Sequence, residues 1–109
     1  MGKEVNILGT QYKIFERTTQ DDKLLQECDG YCDYSTKEII VDANNFGGIR
    51  DPKNPKLYQN KVMRHEIIHA YFYESGLFDE FKDEKIVDWI AMQFPKIARL
   101  FSSLEIDTM

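Results

Sequence analysis

The segment NPKLYQNKVMRHEIIHAYFYESG, residues 54–76, reads as one long helix with both ends marked. Asn54 is a good N-cap, and Pro55 at the first helical position gives up an amide hydrogen that has no helical partner there. Gly76 supplies the C-terminal stop. Between these ends, Tyr58, Val62, His65, His69 and Phe72 recur at steps of three and four and mark the inward face. The chain has two histidines, and both lie on that face, four residues apart.

Upstream of this helix the pattern is that of strands. Val5, Ile7, Tyr12, Ile14 and Phe15 alternate imperfectly around Gly9-Thr10, which predicts one strand over residues 5–17 or two short strands bent at the glycine. Residues 21–26 are polar and fit a helical turn or a loop. Residues 30–34 and 38–42 read as two strands, with Ser35-Thr36-Lys37 the length of a tight hairpin connection. Residues 44–54, with Gly47-Gly48, Asp51-Pro52 and Asn54-Pro55, form a loop. Downstream, a second helix is expected over residues 79–94, with Val87, Ile90, Ala91 and Phe94 as its apolar stripe. Pro95 should end or kink it, leaving a last short helix over residues 96–104. The expected class is α+β: a small antiparallel sheet of about three strands packed on the long helix and the helices after it. Residues 1–109 would form a single domain.

With 42% hydrophobic and 30% charged residues, the composition is that of a folded globular chain. A net charge of -5 argues against a nucleic-acid partner, which needs a basic surface to displace phosphate counterions. No run approaches the roughly 18 apolar residues of a membrane span. The first residues lack a secretion-signal core, so no membrane association and a cytoplasmic location are expected. Cys28 and Cys32 have a C-x-x-x-C spacing, unlike the C-x-x-C of zinc knuckles, and no second pair accompanies them. They read as two reduced, structural thiols.

His65-Glu66-Ile67-Ile68-His69 carries the chemistry. Residues i and i+4 share a helix face, so two imidazoles can converge on one tetrahedral zinc ion. Glu66, one step past His65, can lean over the open coordination position as the general base. With no third histidine, the third ligand must be a carboxylate: Asp79, Glu80, Asp83, Glu84 or Asp88. Glu84 and Asp88 stand four apart on one helix face, which favours Glu84 as ligand, with Asp83 the next choice. Asp88 would then accept a hydrogen bond from a ligating histidine and fix its tautomer.

His65-Glu66-Ile67-Ile68-His69 followed by Glu84-Lys85-Ile86-Val87-Asp88 resembles the gluzincin peptidases. The small size is similar to the minigluzincins, and more closely to the phage- and mobile-element-borne metallopeptidases of the ImmA/IrrE type. The resemblance covers residues 62–95, with the strand pair of residues 30–42 in architecture. It implies a zincin-like fold, one zinc ion and hydrolysis of a peptide or protein substrate. It also implies that Ile39, Ile40 and Val41 form an edge strand to which an extended substrate adds. Larger gluzincins use a further His or Tyr for the oxyanion; Tyr31, Tyr34, Tyr71 and Tyr73 are the candidates here. The alternative reading is a zinc-stabilised protein-binding module without catalysis.

Overall fold

A computed structural model describes residues 2–43 and 53–109. Most of the loop expected at residues 44–54 lies outside the described residues. Four strands are present, β1 (Gly2–Ile7), β2 (Thr10–Arg17), β3 (Gly30–Asp33) and β4 (Glu38–Asp42). Three helices follow, α1 (Pro55–Glu74), α2 (Phe78–Phe81) and α3 (Glu84–Ser103). A 3-10 turn, Lys23–Gln26, sits where residues 21–26 were expected to turn. The class is therefore α+β, with four strands rather than three. No described helix is long and apolar enough to cross a membrane.

β1 and β2 form a hairpin about Leu8 and Gly9, both at positive φ (51° and 94°), as a two-residue turn of matching twist requires. The glycine adopts this without strain, and the Asn6 side chain accepts from its amide at 2.8 Å. β3 and β4 form a second hairpin, whose turn is held by the Asp33 carboxylate accepting from Ser35 and Thr36.

The hairpins join through a parallel pairing of β2 with β4, giving the order β1-β2-β4-β3. Two expectations are corrected here. The sheet is mixed, not antiparallel. Ile39, Ile40 and Val41 lie in an interior strand, not at an edge, and all three are buried. An unbroken apolar run is what a strand covered on both faces needs; an edge strand open to water would leave Ile40 bare. The edge nearest α1 is β3.

α1 starts and stops as its caps predict. The Asn54 side chain accepts from Leu57 N, and beyond the helix Gly76 sits at φ 79° with its amide bonded to Tyr73 O. Val62 and Ala70 bury against Ile7, Tyr12, Ile14, Ile39 and Val41 to form the core. Gly30 permits a close approach at the start of β3: a Cβ there would lie 2.8 Å from Val62 Cγ1 and 2.9 Å from Ile40 O. At the other end of α1, the Glu74 carboxylate accepts from Thr10, from the buried Tyr12 hydroxyl (2.6 Å) and from Lys37 (2.8 Å). One side chain thus ties both hairpins to the helix.

The expected helix over residues 79–94 is in fact two. α2 is a single turn, and Asp83 caps α3 by accepting from Lys85 N and Ile86 N. Pro95 does not end α3, which runs through to Ser103. Proline at 95 removes the amide that would bond the Ala91 carbonyl. Arg64 Nε donates to that carbonyl at 2.7 Å instead. The helix survives because α1 supplies the missing donor.

Two measurements test this account. Removing Arg64 by Arg64→Ala should cost about 1–3 kcal/mol of unfolding free energy, the range for orphaning a buried acceptor. In a Pro95→Ala background the same change should cost clearly less, because an alanine at this position restores the helical donor; equal costs in both backgrounds would refute the compensation. Hydrogen bonds from Lys37, Tyr12 and Thr10 hold the Glu74 carboxyl below its usual range, so its stabilisation is fully present above pH 4.5. It is lost as pH falls through the folded-state pKa. Denaturant melts should show Glu74→Gln less stable than the parent at pH 7, with the gap closing in acid.

Candidate metal centre

α1 and α3 run antiparallel, which brings the middle of α1 against the first turns of α3. His65, Glu66 and His69 face Glu84 and Asp88 across this contact. His65 Nε2 and His69 Nε2 are each 2.8 Å from Glu84 Oε1, and 3.2 Å from each other. Among the described residues this is the group of His, Cys, Asp or Glu that can hold a metal ion.

The hydrogen-bond partners decide which ring nitrogens face the cluster. His69 Nδ1 lies 2.7 Å from the Phe81 carbonyl, which can only accept, so Nδ1 carries the hydrogen. His65 Nδ1 is 3.1 Å from Asp88 Oδ1, and it likewise donates. With neutral imidazoles, both Nε2 atoms then present lone pairs to each other and to a carboxylate oxygen. Three acceptors at these distances repel unless a proton on one Nε2 or a metal ion sits between them. Ligand atoms of a tetrahedral ion bound at about 2.0–2.1 Å stand about 3.3 Å apart, close to the observed spacing of the two nitrogens.

Asp88 stands where the sequence placed it, beside His65, and Lys61 Nζ also approaches it at 2.7 Å. Burial opposes its charge, but hydrogen bonds from Lys61 and His65 outweigh this and keep Asp88 below the usual carboxylate range. Asp83 is occupied as the α3 cap, which removes it as a ligand. Asp79 and Glu80 are exposed in α2 and do not join the group.

Glu66 is buried on α1 and lines the groove beside the three ligands. Burial pushes its carboxyl up to about 8, and the nearby Glu84 charge adds to this. A cation among the ligands would act in the opposite direction.

The groove runs along β3. Gly30, Tyr31 and Cys32 form one wall, with Phe81, Lys82 and Glu84 opposite and Glu66 and His69 between. It continues past Glu66 toward Tyr58, Lys61 and Asp88. Asp29 O accepts from Asp42 N, and the register continues as Tyr31 with Ile40 and Asp33 with Glu38. By alternation, the main-chain groups of Gly30 and Cys32 point away from β4, toward the groove.

Cys28 and Cys32 form no disulfide and both line this groove. Burial raises both thiols, Cys32 to about 12, so neither is a ready nucleophile. Of the four tyrosines considered for the oxyanion, only Tyr31 lines this groove. Tyr31 lines the groove but donates to Asp22. Tyr34 and Tyr73 stack on one another at 4.4 Å, and Tyr71 lies in an apolar groove with Ile67, Ile68 and Phe94.

Lys61 and the Phe81 carbonyl escaped sequence reasoning. Lys61 could have been found, because it precedes His65 by one helical step of four. A backbone carbonyl leaves no mark in a sequence. No family model, curated protein or solved structure matches this chain.

Proposed function

We propose that this protein is a small zinc-dependent endopeptidase of gluzincin type, with His65, His69 and Glu84 as ligands and Glu66 as general base. The convergence of His65 Nε2, His69 Nε2 and Glu84 Oε1 in one cluster, with Glu66 beside it, carries the reading. Two imidazoles and a carboxylate are a donor set that zinc takes in hydrolytic sites. When bound, zinc supplies Lewis acidity, which polarises a carbonyl and makes water acidic near neutral pH.

The chain's own residues supply the rest. An extended peptide adds to the free edge of β3 through the main-chain groups of Gly30 and Cys32, in place of the expected Ile39–Val41 edge. Glu66 takes a proton from the attacking water as its oxygen bonds to the scissile carbonyl carbon. It passes that proton to the amide nitrogen as the C–N bond breaks, leaving a carboxylic acid and an amine. Asp88 and the Phe81 carbonyl hold the histidine tautomers that aim Nε2 inward.

A second reading, a zinc-stabilised protein-binding module, draws support from Tyr31, which lines the groove but whose hydroxyl is engaged by Asp22. The two readings share the metal and differ in cleavage.

Protein purified without chelators should carry about one zinc per chain by elemental analysis, and His65→Ala, His69→Ala and Glu84→Ala should each lose it. Asp88→Ala should weaken zinc binding by about 10–100-fold. Metal-free protein of native fold would end both readings. Against a peptide library, Glu66→Gln should keep its zinc and lose at least about 10²-fold in cleavage rate. Zinc-loaded parent protein that cleaves nothing would leave the binding module.

A further inference from the structure

α3 carries a second apolar pattern, of which Ile86, Leu100 and Leu104 are exposed and Ile90, Gln93 and Ile97 half-buried. Val87 and Ala91 are fully buried, on the side facing α1. Ile86, Ile90, Gln93, Ile97, Leu100 and Leu104 follow one another at steps of four, three, four, three and four, the seam spacing of a coiled coil. At 3.6 residues per turn this seam lies roughly 120° around the helix from Val87 and Ala91. Phe94 and Phe101 widen it on the side toward α1. There it meets the apolar groove of Ile67, Ile68 and Tyr71.

The seam is symmetric along the chain. Ile86 and Leu104, Ile90 and Leu100, and Gln93 and Ile97 are each equidistant from Pro95. A two-fold axis at that level would set each residue opposite its counterpart in a second copy. The charged Glu84, Lys85, Asp88 and Arg99 fall off the seam, while Lys96 flanks it one residue from the axis.

The exposed area suffices. Ile86, Phe94, Leu100, Phe101 and Leu104 leave 39–59% of their surfaces open. Together with Trp89 and Tyr71, side chains of this size offer roughly 500 Å² per copy. The pair would bury about 1,000 Å², the lower bound for a specific interface.

We propose that this protein forms a homodimer through α3, paired antiparallel with the α3 of a second copy about a two-fold axis at the level of Pro95. The dimer would leave the ligand cluster on the other side of α3.

Sedimentation velocity of the full chain from roughly 1 to 100 µM, a range that resolves micromolar association, tests the proposal. The parent should sediment as a dimer. Leu100→Glu should remain folded by circular dichroism and raise the dimer dissociation constant roughly tenfold or more. Adding Ile90→Lys to Leu100→Glu should restore dimerisation, because residue 90 faces residue 100 of the second copy only in the antiparallel arrangement. Should Leu100→Glu fail to fold, Leu104→Glu with rescue by Ile86→Lys reads the same geometry at the end of the seam. A parent monomeric at every concentration, a dimer indifferent to both glutamate substitutions, or no rescue by either lysine would overturn the proposal. So would a monomer that instead sediments with anionic vesicles.

Discussion

Pro95 takes one amide hydrogen out of α3, and the carbonyl this orphans becomes the point at which α3 is held to α1. Arg64 Nε meets Ala91 O at 2.7 Å, within one helical step of both His65 and Asp88. A proline that would break an isolated helix therefore fixes the depth and rotation of this one, provided its neighbour carries a donor in the right place. The ligand cluster depends on that placement. Glu84 and Asp88 occupy the first two turns of α3, and a rotation by one residue, about 100°, would swing both carboxylates away from the histidines.

The residues of the cluster are legible in the sequence because their spacing is local. His65, Glu66 and His69 are fixed relative to each other by one helix, and both caps of that helix are written in Asn54, Pro55 and Gly76. Glu84 and Asp88 are legible for the same reason, as a pair four apart. What depends on distant partners is not. Pro95 reads as a break or kink because its rescue comes from Arg64, 31 positions upstream in the sequence. The run Ile39-Ile40-Val41 reads as an edge only until the parallel pairing of β2 with β4 sets the strand order, and no local pattern announces that pairing. Its unbroken hydrophobicity is the one local sign of an interior position.

Moving the edge from β4 to β3 changes what the site can do. β4 supplies Ile39 and Val41 to the core beneath α1, and its rigidity anchors the helix. β3 is short, is an edge strand among the described residues, and starts at Gly30, where the absent Cβ lets α1 come within contact distance. The close approach sets Glu66 beside the strand edge. A substrate strand lying there would meet the carboxylate on one side and the histidines on the same helix face. A glycine, a short strand and a helix face thus define the groove together, and none of them would do so alone.

The histidine tautomers tie backbone to chemistry most directly. Phe81 O can only accept, so it forces the His69 hydrogen onto Nδ1, and Asp88 does the same for His65. With the Nδ1 hydrogens so placed, both Nε2 atoms turn toward Glu84, where a proton or a metal ion can be shared among the three groups. The short turn α2 exists at the position needed to present that carbonyl, between the Gly76 stop and the Asp83 cap. Chain segments that look like mere connection therefore choose which nitrogen His69 presents to the cluster.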